Sequence, residues 1–257
     1  MQFDTGAPYS LIYKNKLNAI QLKYPSSIPS NEIGGKLENF SFKADQTPIV
    51  VKEIEVKQFD DSAIDWKDEN RIEIIGTIGT DLIDGKVAII DYVNKKLTVS
   101  QSIPERLMEN ISLSDFIYSN RHILLPAKVN GKETVLYFDT GSSMFELLTD
   151  RETSKQLAIP NEKPIQYKVN SWGNFLIANT LASNSSIEIA NISIPIGAST
   201  FFEGVSNAQI EQMSKMGIGG MTGNKLFLNY ILVLDTKHHK FGLLPSLQYS
   251  DIAGRNK

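Results

Sequence analysis

Residues 2–7 read QFDTGA and residues 137–142 read YFDTGS, so the triplet Asp-Thr-Gly occurs twice, each time after a phenylalanine. Further along, residues 76–91 read GTIGTDLIDGKVAIID and residues 220–235 read GMTGNKLFLNYILVLD. The two longer segments align without a gap as Gly-x-x-Gly, a mostly apolar stretch and an apolar quartet that ends in Asp. The pairs keep their order at offsets of 135 and 144 positions. Two motifs repeated in the same order predict a duplicated lobe.

Local patterns around these motifs predict strands. Short apolar or alternating runs, typical of buried and half-buried strands, occur at Val50–Val56, Val87–Ile90, Ile187–Ile196 and Ile231–Leu234. Arg121–Phe138 has the pattern of two strands around Asn130-Gly131, and Asn-Gly is a strong hairpin signal. The sequence therefore predicts a mostly β chain.

Helices are predicted to be few and short. Thr149 with Glu152 forms a possible capping box ahead of residues 150–158, and Ser206 with Gln209 forms another before Gln209–Met216. Ser102–Asn120 carries no strand pattern. We therefore predict an N-terminal lobe over residues 1–108, a linker over 109–120 and a C-terminal lobe over 121–257.

Composition narrows the class of protein. The 257 residues are 41% hydrophobic and 21% charged, as in folded proteins. A net charge of −3 without a block of like charge gives no reason to expect nucleic acid or a membrane surface as a partner. The absence of cysteine excludes thiol catalysis, disulfides and zinc–thiolate sites. The apolar runs of the sequence are too short to span a bilayer.

Other site motifs are weak or missing. Neighbouring residues on a strand point to opposite faces, so His238-His239 predicts a turn between strands rather than a metal pair. Gly217–Gly220 lacks the spacing of a phosphate-binding loop, and neither HExxH nor G-x-S-x-G occurs. We therefore expect no metal and no cofactor.

Two aspartates on tight turns can hydrolyse a peptide bond without a metal or a covalent nucleophile. Like charges about 3 Å apart cannot both ionise, so one carboxyl keeps a proton and polarises the carbonyl. The other carboxylate takes a proton from water. Asp4 and Asp139 are the candidate pair. A single Asp-Thr-Gly would indicate only a loop or a helix cap; two copies with the same downstream block favour catalysis.

The neighbours of each aspartate have expected supporting roles, and these neighbours are Phe3, Thr5, Gly6, Phe138, Thr140, Gly141 and Ser142. The phenylalanines would anchor the strands, and the glycines would permit the tight turns. The threonine hydroxyls would bind the backbone of the opposite lobe. Ser142 could donate to Asp139 and favour its charged form, whereas Ala7 cannot do this for Asp4.

These motifs resemble the retropepsin and pepsin families of aspartic peptidases. Asp4–Ala7 is similar to the retropepsin form of the catalytic turn, and Asp139–Ser142 to the pepsin form. Ile75–Ile83, followed by Ala88–Tyr92, is similar to the hydrophobic–Gly motif and closing strands of retropepsin-like domains. The resemblance implies two β-barrel lobes with the active-site cleft between them and no metal. The length, the lack of cysteine and Ala7 look more like a bacterial protein, which the resemblance suggests is exported, periplasmic or envelope-associated.

The resemblance also implies a hairpin flap in each lobe. In the second lobe Tyr167–Thr180 is the candidate, with Trp172 and Gly173 near its tip; Trp172 would close over substrate or be a core aromatic beside a turn. In the first lobe Gly34–Phe42 is a weaker candidate, without the tyrosine of pepsins.

The two lobes differ ahead of their aspartates. The second has a whole hairpin there, whereas the first has only Met1, Gln2 and Phe3. A strand without a partner exposes an edge. We therefore expect a first strand, and an export signal, upstream of the given sequence; alternatively, another chain or the C-terminal segment fills the gap.

Three functions fit these features. The first is a monomeric aspartic endopeptidase that acts on a peptide or protein, binding it in extended form under the flaps. The second is a catalytically silent module that binds peptides or proteins with the same fold. In the third, each lobe pairs with a lobe of another chain; the joined lobes favour intramolecular pairing.

Overall fold

The computed structural model describes residues 1–26, 32–44, 47–58, 64–171, 174–204 and 217–245. By its internal packing the chain divides into two units, Met1–Leu82 and Ile83–Lys257. Strands dominate both units, and the helices are few and short. The prediction of a mostly β fold is therefore confirmed.

The first unit is one sheet with a helix. Its strands are β1 (Gln2–Phe3), β2 (Leu11–Tyr13), β3 (Glu32–Ile33), β4 (Lys36–Ala44), β5 (Thr47–Lys57) and β6 (Gly76–Ile78). They lie in the order β1-β6-β2-β5-β4-β3. Helix α1 (Lys14–Lys23) follows β2, and a short 3₁₀ helix, Thr80–Leu82, follows β6.

The core of this unit consists of apolar side chains from the helix and the central strands, namely Ile12, Leu17, Leu37, Phe40, Ile54 and Val56. Asn39 has a left-handed conformation with φ +49°. It interrupts the alternation of β4, so that Leu37 and Phe40, three residues apart, are both buried. The predicted strand Val50–Val56 lies within β5 and is confirmed.

Strand β1 stands at the end of its sheet and pairs in parallel with β6. Phe3 is only half-buried, whereas Phe138 of the second unit is fully buried. The expectation that both phenylalanines anchor a strand in a core therefore holds for Phe138 and only in part for Phe3. The cause is position, because Phe138 lies on a strand with neighbours on both sides.

The second unit contains the remaining elements. Its strands are β7 (Val87–Asp91), β8 (Lys96–Ser100), β9 (Ser114–Asp115), β10 (Ile117–Ser119), β11 (His122–Val129), β12 (Lys132–Phe138), β13 (Ile165–Ser171), β14 (Asn174–Ala182), β15 (Ser186–Ile189), β16 (Ile192–Pro195), β17 (Ala198–Glu203), β18 (Ile218–Thr222), β19 (Tyr230–Asp235) and β20 (Lys240–Pro245). Its helices are α2 (Glu105–Met108), α3 (Arg151–Leu157) and a 3₁₀ helix, Asn224–Phe227.

These strands form three groups. One runs β16-β15-β11-β12-β18 with β10 beside β11, the second runs β13-β14-β17, and the third runs β8-β7-β19-β20-β9. Among the described residues no strand order closes on itself, so the predicted barrels are not closed there. The third group covers a core that includes Val87, Ile89, Ile231, Val233 and Leu244.

Strands β7 and β19 carry the two copies of the apolar quartet and pair with each other. The pairing is antiparallel, with Val87 opposite Asp235, Ile89 opposite Val233 and Asp91 opposite Ile231. In the sequence alignment Val87 corresponds to Ile231 and Asp91 to Asp235. The register therefore exchanges the two copies, with the Ile89–Val233 pair at its centre. Both strands are buried, which explains their continuous apolar runs.

Some local predictions are confirmed. The hairpin of β11 and β12 turns at Asn130-Gly131, both with positive φ. His238 and His239 lie in the turn between β19 and β20, as expected. The helix predicted over Gln209–Met216 lies outside the described residues.

Other local predictions are wrong. Ser102–Asn120, which showed no strand pattern, contains β9, which pairs with β20, and β10, which pairs with β11. That residues 109–120 link two lobes remains a prediction. Ile187–Ile196 is a hairpin of β15 and β16 that turns at Ala190-Asn191, both with positive φ, and not one strand.

The cap of α3 also differs from prediction. Asp150, and not Thr149, is the N-cap, because its carboxylate accepts the Thr153 N–H. The hydroxyl of Thr149 donates instead to the Gly219 carbonyl. Burial alone would raise the pKa of Asp150, but hydrogen bonds from Thr153 and from the backbone of Glu152 and Asp150 together outweigh it and lower that pKa.

Helix length bears on membrane insertion. No helix in the described part of the chain is both long and apolar enough to cross a bilayer.

Candidate active site

The first Asp-Thr-Gly turn, Asp4–Ala7, begins where β1 ends. The N–H of Asp4 donates to the Ile78 carbonyl over 2.9 Å, which continues the pairing of β1 with β6. The Gly6 N–H donates to Oδ1 of Asp4 over 2.8 Å, and the Ala7 N–H donates to the Asp4 carbonyl over 3.2 Å. The turn therefore holds the Asp4 carboxylate against its own backbone.

The second turn, Asp139–Ser142, begins where β12 ends and has the same main-chain hydrogen bonds. The Asp139 N–H donates to the Thr222 carbonyl over 2.9 Å, and the Gly141 N–H donates to Oδ1 of Asp139 over 2.7 Å. The Ser142 N–H donates to the Asp139 carbonyl over 3.1 Å. Both aspartates are half-buried. Each half-site thus presents one carboxylate oriented by the glycine two residues later.

A glycine of the Gly-x-x-Gly block lies against each turn. An added Cβ at Gly79 would lie 2.6 Å from the Ala7 carbonyl oxygen, and one at Gly223 would clash still more closely with the Ser142 carbonyl oxygen. Real Cβ atoms do not approach backbone that closely. Only glycine therefore lets each block pass directly beside its turn.

The threonines of the two triplets are both buried. That their hydroxyls bind the backbone of the opposite lobe remains a prediction, as does the pairing of Asp4 with Asp139. Asp4 belongs to the first unit and Asp139 to the second.

The side chains that support the turns differ. Oγ of Ser142 donates to Oδ2 of Asp139 over 3.0 Å, as the sequence suggested, while Ala7 has no hydroxyl to offer Asp4. On the first turn, Thr80 donates to the Ala7 carbonyl from its N–H at 2.9 Å and its hydroxyl at 3.2 Å. Asp139 therefore accepts a side-chain hydrogen bond that Ala7 cannot provide to Asp4.

The sequence did not predict two residues that support the turns, Ser10 and Asn224. In the first unit the Ser10 hydroxyl donates to Asp81 over 2.7 Å and accepts the Gly79 N–H over 3.0 Å. In the second unit Asn224 contacts both the turn and Tyr92. The only sequence signal was their place in or beside the repeated motifs.

The flap candidates are partly described. Strands β13 and β14 form a hairpin in register from Ile165–Thr180 to Ser171–Asn174. Its tip, with the candidate residues Trp172 and Gly173, lies outside the described residues. In the first unit Gly34–Phe42 is not one hairpin, because Gly34-Gly35 turns between β3 and β4, and β4 then pairs with β5.

Among the described residues no group of three or more His, Cys, Asp or Glu side chains could hold a metal ion.

Comparisons with known proteins add little. No family model matches the chain, and no curated protein matches it. Solved structures do match, among them the crystal structure of a retropepsin-like aspartic protease from Rickettsia conorii. That protein is 16% identical over 52% of this chain and 90% of its own, with a TM-score of 0.34. At this identity and TM-score the likeness says nothing about the chemistry of this chain.

Proposed function

We propose that this chain is an aspartic endopeptidase that hydrolyses peptide bonds with a water activated between Asp4 and Asp139. One observation carries the proposal. Each aspartate ends a strand, and each accepts the N–H of the glycine two residues later, at 2.8 Å for Asp4 and 2.7 Å for Asp139. A protein that only needed two loop caps would have no reason to build the same turn twice beside the same glycine block.

The reaction needs one protonated and one ionised carboxyl. The ionised carboxylate takes a proton from water as the water oxygen attacks the peptide carbonyl, and the protonated carboxyl gives its proton to the carbonyl oxygen. The tetrahedral species then collapses: the carboxyl that took the proton from water gives it to the leaving amine, and the other carboxylate takes a proton back from a hydroxyl of the tetrahedral carbon. Oγ of Ser142 donates to Oδ2 of Asp139, as a donor does to an ionised carboxylate, so we assign the base to Asp139 and the acid to Asp4.

The substrate class follows from the proposed cleft. An extended peptide is bound largely through its backbone, with side-chain pockets adding preference. We propose that the hairpin of β13 and β14 covers such a substrate, with Trp172 and Gly173 at its tip, and that the chain acts as a monomer. Dyad support would come from Thr5, Gly6, Thr140, Gly141 and Ser142.

The test is cleavage of an unfolded protein across about pH 3 to 8, a range that brackets the titration of paired carboxyls. The wild type is compared with Asp4→Asn and Asp139→Asn, with and without pepstatin. We expect each substitution to lower kcat at least about a thousandfold, because neither remaining group can replace the missing carboxyl.

Asp115→Asn is the matched control. Its carboxylate is exposed and pairs with Lys240 on the surface, so cleavage should stay at the wild-type rate. Cleavage that survives either Asp4→Asn or Asp139→Asn would contradict the proposed pair. A folded wild type that binds peptides without cleaving them at any pH would favour the silent binding module.

A further inference from the structure

Asn224, the first residue of the 3₁₀ helix after Gly223, reaches the second turn with its side chain. Its Nδ2 donates to the Thr140 carbonyl oxygen over 3.1 Å and to Oγ of Ser143 over 2.6 Å. A primary amide has two N–H donors. Both N–H groups of the Asn224 amide therefore donate to the segment that follows Asp139.

The other end of the Asn224 amide is held by Tyr92, which directly follows β7. The Tyr92 hydroxyl donates to Oδ1 of Asn224 over 2.7 Å. Burial raises the pKa of Tyr92, so its hydroxyl keeps its proton and remains a donor. With the oxygen fixed by Tyr92, the NH₂ group must point to the turn.

The Thr140 carbonyl is the acceptor that connects Asn224 to the Asp139 carboxylate. The peptide unit is planar, so the carbonyl of Thr140 and the N–H of Gly141 have one common orientation. That N–H is the donor to Oδ1 of Asp139 at 2.7 Å. The Ser143 hydroxyl also donates to the Thr140 carbonyl, over 2.6 Å. Two donors on the carbonyl therefore fix the direction of the hydrogen bond that orients the carboxylate.

The first turn is bound at another peptide unit. Thr80, which corresponds to Asn224 in the aligned motifs, donates to the carbonyl of Ala7 from its N–H and its hydroxyl. The residue that corresponds to Tyr92 is Thr236, whose hydroxyl donates to the carbonyls of Ile83 and Lys86. The Tyr92–Asn224 contact to a turn is therefore a feature of the second half-site.

We propose that Tyr92 and Asn224 are positioning residues, which hold the Thr140–Gly141 peptide so that its N–H stays on the Asp139 carboxylate. The catalytic consequence rests on the proposed peptidase function. The orientation of the peptide does not, and it can be measured without substrate.

Hydrogen exchange of the Gly141 amide, followed by NMR, tests the orientation directly. Asn224→Ala should speed this exchange about tenfold, and Tyr92→Phe about threefold, because each removes hydrogen bonds of ordinary strength. Asn110→Ala and Tyr118→Phe are matched controls, since their side chains bond to Arg106 and Asp84 instead. Unchanged exchange at Gly141 in Asn224→Ala would overturn the proposal.

Kinetics test the catalytic consequence. Asn224→Ala should lower kcat about ten- to a hundredfold, with KM within about twofold, because the carboxylate is misplaced while substrate contacts remain. Asn224→Asp has the same shape but no N–H to donate, so it should be as slow. Asn224→Thr, which copies Thr80, should recover part of kcat. Thermal unfolding of each variant identifies any that fail to fold, and the isosteric Asn224→Asp then decides.

A double mutant shows whether Tyr92 and Asn224 act together or independently. If Tyr92 acts through Asn224, Tyr92→Phe should cost nothing further in an Asn224→Ala background. Additive losses would overturn the proposal. A wild type that does not cleave peptides would refute the proposed function alone, since the exchange of Gly141 still decides whether Asn224 and Tyr92 orient the turn.

Discussion

In the first turn the Gly6 N–H reaches Asp4 at 2.8 Å, and in the second the Gly141 N–H reaches Asp139 at 2.7 Å. The main chains of the two turns are thus built alike. Their side-chain support is not: Ser142 donates to Asp139, whereas the corresponding residue on the first turn is Ala7. In both turns it is thus the main chain that orients the carboxylate. The side chains differ between the turns, so the two carboxyl groups have different hydrogen-bond partners.

The helices that follow the two turns differ in the same way. Lys16 of α1 and Arg151 of α3 correspond at the 135-position offset, and each pairs with a glutamate at 2.8 Å. The pair of Lys16 with Glu73 is buried, with 4% and 15% of the side chains exposed, whereas Arg151 and Glu203 are largely exposed. The helix after the first turn therefore forms a largely buried ion pair, and the helix after the second turn forms a surface contact.

The largest expected effect comes from the glycines that both turns share. Gly223→Ala and Gly79→Ala should each lower the free energy of unfolding by about 3 kcal/mol, because the new methyl group would overlap backbone carbonyl atoms that have no free space. Urea unfolding followed by circular dichroism measures the change.

Gly197→Ala is the matched control for these glycines. Its added Cβ would meet only Glu146 side-chain oxygens, at 3.6 and 3.7 Å, so the change should stay within about 0.5 kcal/mol. If Gly79→Ala were tolerated and Gly223→Ala were not, the two turns would not be packed alike.

A smaller effect is expected at the two ion pairs. Lys16→Met should lower Tm at neutral pH, because it removes the buried partner of Glu73 and leaves that carboxylate, among the described residues, only the half-exposed Arg71 and the Asp65 N–H. Arg151→Met should lower Tm much less, since its pair with Glu203 is exposed. Differential scanning calorimetry of both variants measures the contrast. Equal shifts would contradict the difference in burial.

The pH dependence of the Lys16 effect has a definite sign. The hydrogen bond from Lys16 lowers the pKa of Glu73 below its ordinary value of 4.5. The stabilisation is thus fully present above that ordinary value and is lost as the pH falls through the lowered pKa. The Tm difference between wild type and Lys16→Met should therefore shrink in acid, and a constant difference would exclude this linkage.

The smallest effect concerns the side chain that differs between the two turns. Ser142→Ala removes a donor that orients the Asp139 carboxylate and should lower kcat/KM about threefold, as expected for one hydrogen bond of ordinary strength. The exposed Ser102→Ala serves as control. Unchanged kcat/KM in Ser142→Ala would mean that the hydroxyl does not support the carboxylate.

Some sequence-based predictions were wrong because groups far away in the sequence bind residues that were expected to make only local contacts. Thr149 was predicted to cap a helix, but its hydroxyl donates to the carbonyl of Gly219, 70 residues away, and Asp150 caps α3 instead. Residues 109–120 showed no strand pattern, yet β9 and β10 are strands because β20 and β11 offer them edges to pair with. Short strands of two or three residues have too few positions for a period to be recognised.

By itself the sequence determined the repeated motifs, the mostly β fold, the Asn130-Gly131 hairpin and the two aspartates at strand ends. These features depend on the conformational preferences of neighbouring residues and on the spacing of apolar residues, both of which can be read directly from the sequence. Only the tertiary structure decided the exchanged register of β7 and β19 and the contact of Tyr92 with Asn224, which are 132 residues apart. Hydrogen bonds of that kind depend on which distant atoms the packed fold brings within 3 Å, and no local pattern records that.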